Sequence, residues 1–389
     1  MKDMEQKNII TDSILYIGTD DKDLDLFESQ YHVPNGVSYN SYVILDEKTA
    51  VLDTIDARRT QEWLQNMDKA LNGRKVDYLV VSHMEPDHAS NVQMLAEKFP
   101  EMKIVGNAKT FSMIPQFFDM DLSKRSVLVK EGDTLNLGAH ELQFFLAPMV
   151  HWPEVMVAYE KTEKILFSAD GFGKFGTLDA KEEWTDEARR YYFNIVGKYG
   201  APVQALLKKA AALDIHMICP LHGPVLKENL GYYLEKYNTW SSYEPEEKGI
   251  LLAFASIHGN TKKAAEKMKE ILEEKGAKVT MTDLSRDDMS QAVANAFRYQ
   301  KMILAAATYD GGVFACMEEF LHHLKSKNFQ KRTVGLIENG SWGPMAAKTM
   351  QGILSEMKEI TICEEVVTVK STMKPENIER MEVLANELI

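Results

Sequence analysis

Four side chains of metal-ligand type crowd into one short stretch, Ser82-His83-Met84-Glu85-Pro86-Asp87-His88. They are His83, Glu85, Asp87 and His88. Carboxylates and imidazoles gathered this closely call for a cation, because a buried carboxylate without compensation is costly. The preceding Tyr78-Leu79-Val80-Val81 is apolar and β-branched and reads as a buried strand. Pro86 stiffens the loop that follows by fixing its own φ. Residues 83, 85 and 87 alternate, so an extended or turning backbone can aim all three at one point. The bland alternative is a solvated polar loop, and the crowding of ligand types argues against it.

Three further candidates also follow apolar stretches that read as strands. His151 lies in Ala147-Pro148-Met149-Val150-His151-Trp152-Pro153, Asp170 in Ala169-Asp170-Gly171, and His222 in Pro220-Leu221-His222-Gly223-Pro224. A lone histidine is more often structural than a ligand. Loops at strand ends, however, gather on one edge of an α/β or sandwich fold, so the four segments form a joint signal. His216 competes with His222 but stands at the start of a strand and ranks lower. Trp152, next to His151, is a candidate apolar wall for such a centre, with a plain core aromatic as the alternative.

The elements that position these residues are readable in outline. Strands are expected at 42–45 and 50–53, 78–81, 103–105, 141–146, 155–159, 165–168 and 216–219. Helices are expected at 58–71, 89–99, 110–118, 184–198 and 203–213. Polar, Pro-containing Ser241-Ser242-Tyr243-Glu244-Pro245-Glu246-Glu247-Lys248 reads as a linker. Beyond it, strands at 250–255, 278–282, 302–307, 333–337 and 361–369 alternate with helices. Five strand–helix units imply an open parallel sheet with helices on both faces.

Ligands of such sheets bind at the carboxyl ends of the strands. The first such loop, Ser256-Ile257-His258-Gly259-Asn260-Thr261, runs straight into a helix, whose free N–H groups suit a phosphate. The third strand ends in Thr308-Tyr309-Asp310-Gly311-Gly312 and the fourth in Asn339-Gly340-Ser341-Trp342-Gly343. Glycines let backbone approach a flat ring, and Tyr309 or Trp342 could stack on it. Turn chemistry alone explains any one loop. Three on one sheet edge favour a ring-plus-phosphate ligand such as FMN. Neither a dinucleotide fingerprint nor a nucleoside triphosphate loop occurs.

The 389 residues exceed one ordinary core, so two domains are expected. The formal net charge of −13 leaves no basic footprint for nucleic acid. Cys219, Cys316 and Cys363 are scattered, which argues against a disulfide framework, a zinc ribbon or a rubredoxin module. Residues 1–7 lack a signal-peptide pattern, and the apolar run 250–257 is far short of a membrane span. A cytoplasmic protein with no membrane partner is expected.

The second half resembles flavodoxin, and the first resembles the metallo-β-lactamase fold with Glu85 where the hydrolases carry a second His. Fused in this order, the chain resembles a flavodiiron protein (A-type flavoprotein) over nearly its whole length. The motif H-x-E-x-D-H matches His83 to His88, and His151, Asp170 and His222 follow at family-like intervals. The last interval is shorter than the family's, as if a helical segment between Gly171 and Trp184 were trimmed. The resemblance implies an α/β multidomain chain. It would have a metallo-β-lactamase-like αββα sandwich over 1–247 and a flavodoxin-like doubly wound five-stranded parallel sheet over 248–389. One iron would be held by His83, Glu85 and His151, and a second by Asp87, His88 and His222, with Asp170 bridging. FMN would occupy the loops of the second half. Glu85 also favours iron over zinc on chemical grounds, since it hardens the ligand set and adds negative charge.

The activity implied is reduction of O2 to water, of NO to N2O, or both. Two ferrous ions and a reduced FMN together carry the four electrons that O2 needs; coupling two NO takes only two. Electrons would come from a rubredoxin-like donor on a separate chain. The family forms head-to-tail homodimers or dimers of these, so that the flavin of one subunit faces the irons of the other. A metal-dependent hydrolase with an attached flavodoxin module is the alternative, and Glu85 argues against it.

Overall fold

The computed structural model describes residues 9–389, and the polar stretch at 1–7 lies outside them. The chain forms two compact units, residues 1–191 with 201–237 and residues 192–200 with 238–389.

The first unit contains two larger sheets. One is six-stranded, in the order Ile14–Tyr16, Tyr42–Ile44, Ala50–Leu52, Tyr78–Val80, Lys103–Gly106, Ser126–Leu128. The other is five-stranded, in the order Thr134–Asn136, Glu141–Leu146, Met156–Glu160, Ile165–Phe167, Met217–Cys219. Their facing side chains form a single core: Ile14, Tyr42, Leu52, Val80 and Val105 meet Leu142, Phe144, Met156, Ile165 and Phe167. Alternation explains the choice in Glu141–Leu146, where Leu142 and Phe144 are buried between less buried neighbours. Helix Thr60–Leu71 buries Trp63, Met67 and Leu71 at helical spacing and ends on Asn72 in the left-handed conformation. This is the αββα sandwich.

The second unit has a parallel sheet in the order Val279–Asp283, Glu247–Ala255, Tyr299–Tyr309, Arg332–Asn339, Ile360–Val369. The short strand Gly312–Val313 is added antiparallel to its third strand in sequence. The apolar stripes of helices Asn260–Glu274 and Pro375–Leu388 share a core with Leu252, Phe254, Ile303 and Val367. The other three helices, Met289–Arg298, Ala315–Ser326 and Ala346–Leu354, pack against one another. Chain order 2-1-3-4-5 is the flavodoxin-like arrangement.

Several elements differ from expectation. The single helix expected at 89–99 is two short helices, Pro86–Ala89 and Val92–Lys98, because Pro86 starts a helix inside the ligand loop. The helix expected at 184–198 stops at Tyr191 and continues as a π turn, Tyr192–Val196, and a 3-10 turn. Residues 171–183 hold turns and no helix. The expected linker starts inside the unexpected helix Leu230–Ser241, which buries Tyr237 and Trp240, and strand Glu247–Ala255 starts before the linker ends. Packing of aromatic residues overrides their modest helix propensity there. The strands at 14–32 are two or three residues long, too short to show a period.

Candidate metal centre

All seven ligand-type side chains converge within the first unit, as two groups. His83, Glu85, His151 and Asp170 form one; Asp87, His88 and His222 form the other. The backbone accounts for the division. After strand Tyr78–Val80 the chain bends at Ser82, whose N–H donates to Asp53 Oδ1 at 2.7 Å. His83 and Glu85, two residues apart, both reach His151. Glu85 is the last extended residue (φ −60°, ψ 138°), and Pro86 then opens the one-turn helix that carries Asp87 and His88 to the second group.

Asp170 lies between the groups. Its Oδ2 is 3.3 Å from His83 Nε2 and from His151 Nε2, and its Oδ1 is 3.2 Å from His88 Nε2 and 3.8 Å from His222 Nε2. Glu85 Oε2 stands 3.2 Å from His83 Nε2 and 3.0 Å from His151 Nε2. Asp87 Oδ2 stands 3.3 Å from His88 Nε2 and 3.2 Å from His222 Nε2. The rings of Phe27, Tyr39 and Tyr191 surround His222, and Trp152 meets His83 edge-on at 5.2 Å. His216 is outside the cluster, exposed and beside Asp214.

The cluster is buried and short of internal partners. Among the described residues, both oxygens of Asp87 and of Asp170, both ring nitrogens of His88 and Nε2 of His222 have no hydrogen-bond partner. Burial pushes Asp87 up, and with the Glu85 and Asp170 charges it outweighs His88, taking the carboxyl to about 7. Burial also acts against Asp170, yet the imidazoles of His88, His83 and His151 hold it well below the usual carboxylate range. Glu85 is likewise held low, by His151 and His83 against its burial. Such a set of convergent, water-excluded oxygens and ring nitrogens is a cation site. A cavity of about 910 Å³ elsewhere in this unit is lined by Thr19, Arg59, Glu62 and Lys69 and by none of the seven, so volume does not mark the centre.

The loops expected to hold a ring-plus-phosphate ligand lie at the carboxyl ends of their strands in the second unit. Gly259 (φ 85°) turns the chain 256–261 into helix Asn260–Glu274, its N–H donating to Ser256 Oγ at 3.1 Å. Ile257, Tyr309 and Trp342 are exposed, the last at 96%. His258, Asp310, Gly311, Ser341 and Gly343 are exposed as well, and Asn260, Gly312 and Gly340 half-buried. A side chain at Gly259, Gly311 or Gly343 would meet no atom within 4 Å, so these backbones border open space. Thr308 Oγ1 already accepts from Met345 and Ala346, Asn339 ties its loop to Ser371, and Thr261 is buried.

Comparison with known proteins agrees with both halves. Residues 37–223 match the model of the ODP family beta lactamases and residues 252–382 that of flavodoxin. An anaerobic nitric oxide reductase flavorubredoxin of Vibrio vulnificus is 26% identical, covering 94% of this chain and 76% of its own. The solved rubredoxin oxygen:oxidoreductase of Desulfovibrio gigas is 26% identical over 98% of both chains, with a TM-score of 0.91. The flavodiiron protein of Giardia intestinalis shares the fold at a TM-score of 0.91 and 22% identity, over 99% of this chain and 96% of its own. The chain belongs to the flavodiiron proteins.

In this flavodiiron protein, four residues near the centre went unread in the sequence. Glu154, fully buried, accepts from His83 Nδ1 at 2.7 Å and from the Met84 N–H at 2.8 Å. Its signal was a carboxylate three residues after His151. Ser38 accepts from His222 Nδ1 through its carbonyl at 2.7 Å, which no side-chain motif can announce. Asp53 is buried and pushed up to about 6 despite its bonds to Ser82. Glu28 opens the three-residue turn between strands Leu26–Phe27 and Tyr31–His32, with positive φ at Glu28 and Ser29. Glu28 is exposed, yet partial loss of water and the nearby Glu85 charge push its carboxyl up, against the pull of His151.

Proposed function

We propose that the chain reduces O2 to water, NO to N2O, or both, at a non-haem diiron centre, with FMN relaying electrons from a rubredoxin-like donor. The observation that carries this reading is the two-group cluster with Asp170 facing both groups and Glu85 in the first. The unpartnered oxygens of Asp87 and Asp170 and nitrogens of His88 and His222 fit a pair of cations. Glu85 as a hard, anionic ligand fits iron better than zinc. His83, Glu85 and His151 would hold one iron, Asp87, His88 and His222 the other, with Asp170 between them. The open backbones at Gly259, Gly311 and Gly343 and the exposed rings of Tyr309 and Trp342 fit a flavin. FMN would contact residues 256–261, 308–312 and 339–343.

The irons and the flavin supply the electrons and the gas-binding position when bound. The chain's own residues position and exclude. Glu154 fixes the ring of His83 and the Ser38 carbonyl that of His222, so that both Nε2 atoms point inward. Trp152, Phe27, Tyr39 and Tyr191 keep water from the imidazoles. Glu28, exposed to solvent, carries its carboxyl near Glu85 and His151, where it can relay a proton from water.

The proposed assignment runs 1–247 for the metal domain and 248–389 for the flavin domain. A head-to-tail homodimer, or a dimer of such dimers, in the cytoplasm completes the proposal. Among the described residues no helix is long and apolar enough to cross a membrane. The deciding experiment is anaerobic reduction of the iron- and FMN-loaded protein through a donor chain, followed by addition of O2 or NO. Consumption of either gas is expected. Two bound zinc ions, no iron and hydrolase activity would instead establish the alternative.

A further inference from the structure

The two metal positions have matched ligands. Each has two imidazoles and one carboxylate of its own, with Asp170 facing both. What differs is the ring of partners behind them. His83 Nδ1 meets the carboxylate of Glu154 at 2.7 Å, and both residues are fully buried. His222 Nδ1 meets a neutral carbonyl, that of Ser38, at the same 2.7 Å, and His88 Nδ1 meets no hydrogen-bond partner among the described residues.

Glu154 is fixed in place. The Met84 N–H bonds the same Oε1 at 2.8 Å, and Asn107 Nδ2 bonds the Glu154 carbonyl at 2.6 Å. Among the described residues its Oε2 has no hydrogen-bond donor, so the bonds to His83 and Met84 both fall on Oε1. Another buried carboxylate behind the cluster, Asp53, accepts at Oδ1 from the Ser82 and His83 amides and, among the described residues, hydrogen-bonds no imidazole. A carboxylate hydrogen-bonded to a ligating imidazole raises the basicity of its inner nitrogen, and in a water-excluded site its field is little screened.

We propose that Glu154 makes the two positions unequal: the one lined by His83, Glu85 and His151 is the more electron-rich and loses the first electron when the reduced centre is oxidised. This rests on the diiron reading above. The step transfers one electron from that iron to a one-electron mediator dye, which is reduced as the iron is oxidised. No covalent bond forms or breaks, and the proton stays on His83 Nδ1, shared with Glu154. Glu154 is a positioning residue, since it acts only through His83.

The test is a mediated electrode titration of the iron-loaded protein, followed by paramagnetic resonance of the half-oxidised state and by Mössbauer spectra of the fully reduced state. The native protein is expected to oxidise in two one-electron steps. Glu154→Gln keeps a hydrogen-bond acceptor and removes the charge. It should raise the first step toward the second, lower the maximum yield of the half-oxidised state and shift one of two ferrous doublets. Competition for iron should show a 10- to 100-fold loss of affinity at one position of the two. Unchanged potentials and yield in a Glu154→Gln protein holding both irons would overturn the inference and leave the diiron reading intact. Should that variant fail to load iron, Glu154→Asp keeps the charge at a longer reach and should give an intermediate shift; no shift there overturns the inference equally. A native protein that takes up zinc and no iron has no half-oxidised state, and both readings then fall together.

Discussion

At the scale of single residues, Glu85 decides the chemistry of the centre. It lies within 3.2 Å of both imidazoles of its group, so exchanging it for a third imidazole changes the charge of one metal position without moving the backbone. Glu85→His is expected to shift the bound metal from iron toward zinc and to abolish gas reduction, read by metal analysis and turnover. Retained iron with normal turnover would refute it. Glu28 makes a separate demand. Its side chain reaches toward the same group from a hairpin that carries none of the seven ligand-type residues. Glu28→Gln should leave the iron content unchanged and lower turnover about 10-fold or more, in line with loss of one acid–base group. A full rate in that variant would show that protons arrive by another route. Glu85 was legible in the sequence because it sits inside a compact motif. Glu28 was not, because the strands that carry it are two residues long and its partners are distant in sequence.

At the scale of elements, two buried charges hold loops to sheets. Asp21, at the end of the short strand Thr19–Asp21, is fully buried and pairs with Arg58 at 2.9 Å and Arg59 at 2.8 Å, at the start of helix Thr60–Leu71. Burial opposes its charge, but the Arg59 hydrogen bond and the two guanidinium charges outweigh it and hold the carboxyl below the usual range. A depressed carboxylate stabilises the fold above its unfolded-state pKa, and that stability is lost as pH falls through the folded value. The protein should therefore lose stability below about pH 4, and Asp21→Asn should flatten that acid limb while costing about 1–2 kcal/mol at neutral pH. An unchanged acid limb in urea titrations of the variant would contradict the assignment. Arg332 does comparable work in the second unit. Buried, it donates to the carbonyls of Tyr299, Tyr243, Gln330 and Phe297, and so ties the segment before Glu247 to the sheet. Its replacement by Ala should cost about 2–4 kcal/mol, because several buried acceptors lose their donor at once. Neither anchor was visible beforehand. The sheet strands were, because hydrophobic period survives in sequence, whereas a buried ion pair is set by which loops happen to meet.

At the scale of the whole molecule, the chain joins an electron-holding unit to a gas-binding one. That pairing was legible because each half carries its own pattern: five strand–helix alternations in the second, and ligand residues at successive strand ends in the first. The boundary was less legible, since helix Leu230–Ser241 occupies much of what composition marks as linker. The proposed head-to-tail dimer makes one demand that no single unit makes: the flavin of one chain must serve the irons of its partner. A chain with Glu85→His keeps its flavin and loses the iron chemistry. A chain with Ser256→Tyr, in the loop that turns into helix Asn260–Glu274, should lose its flavin and keep its irons, which absorbance and metal analysis would verify. Neither homodimer should turn over. Unfolded together and refolded as a mixture, the two should recover a definite fraction of native turnover, because each heterodimer contains one intact flavin facing one intact iron pair. If electrons instead passed only within a chain, the heterodimer would contain no complete path, and the mixture would stay as inactive as its parents.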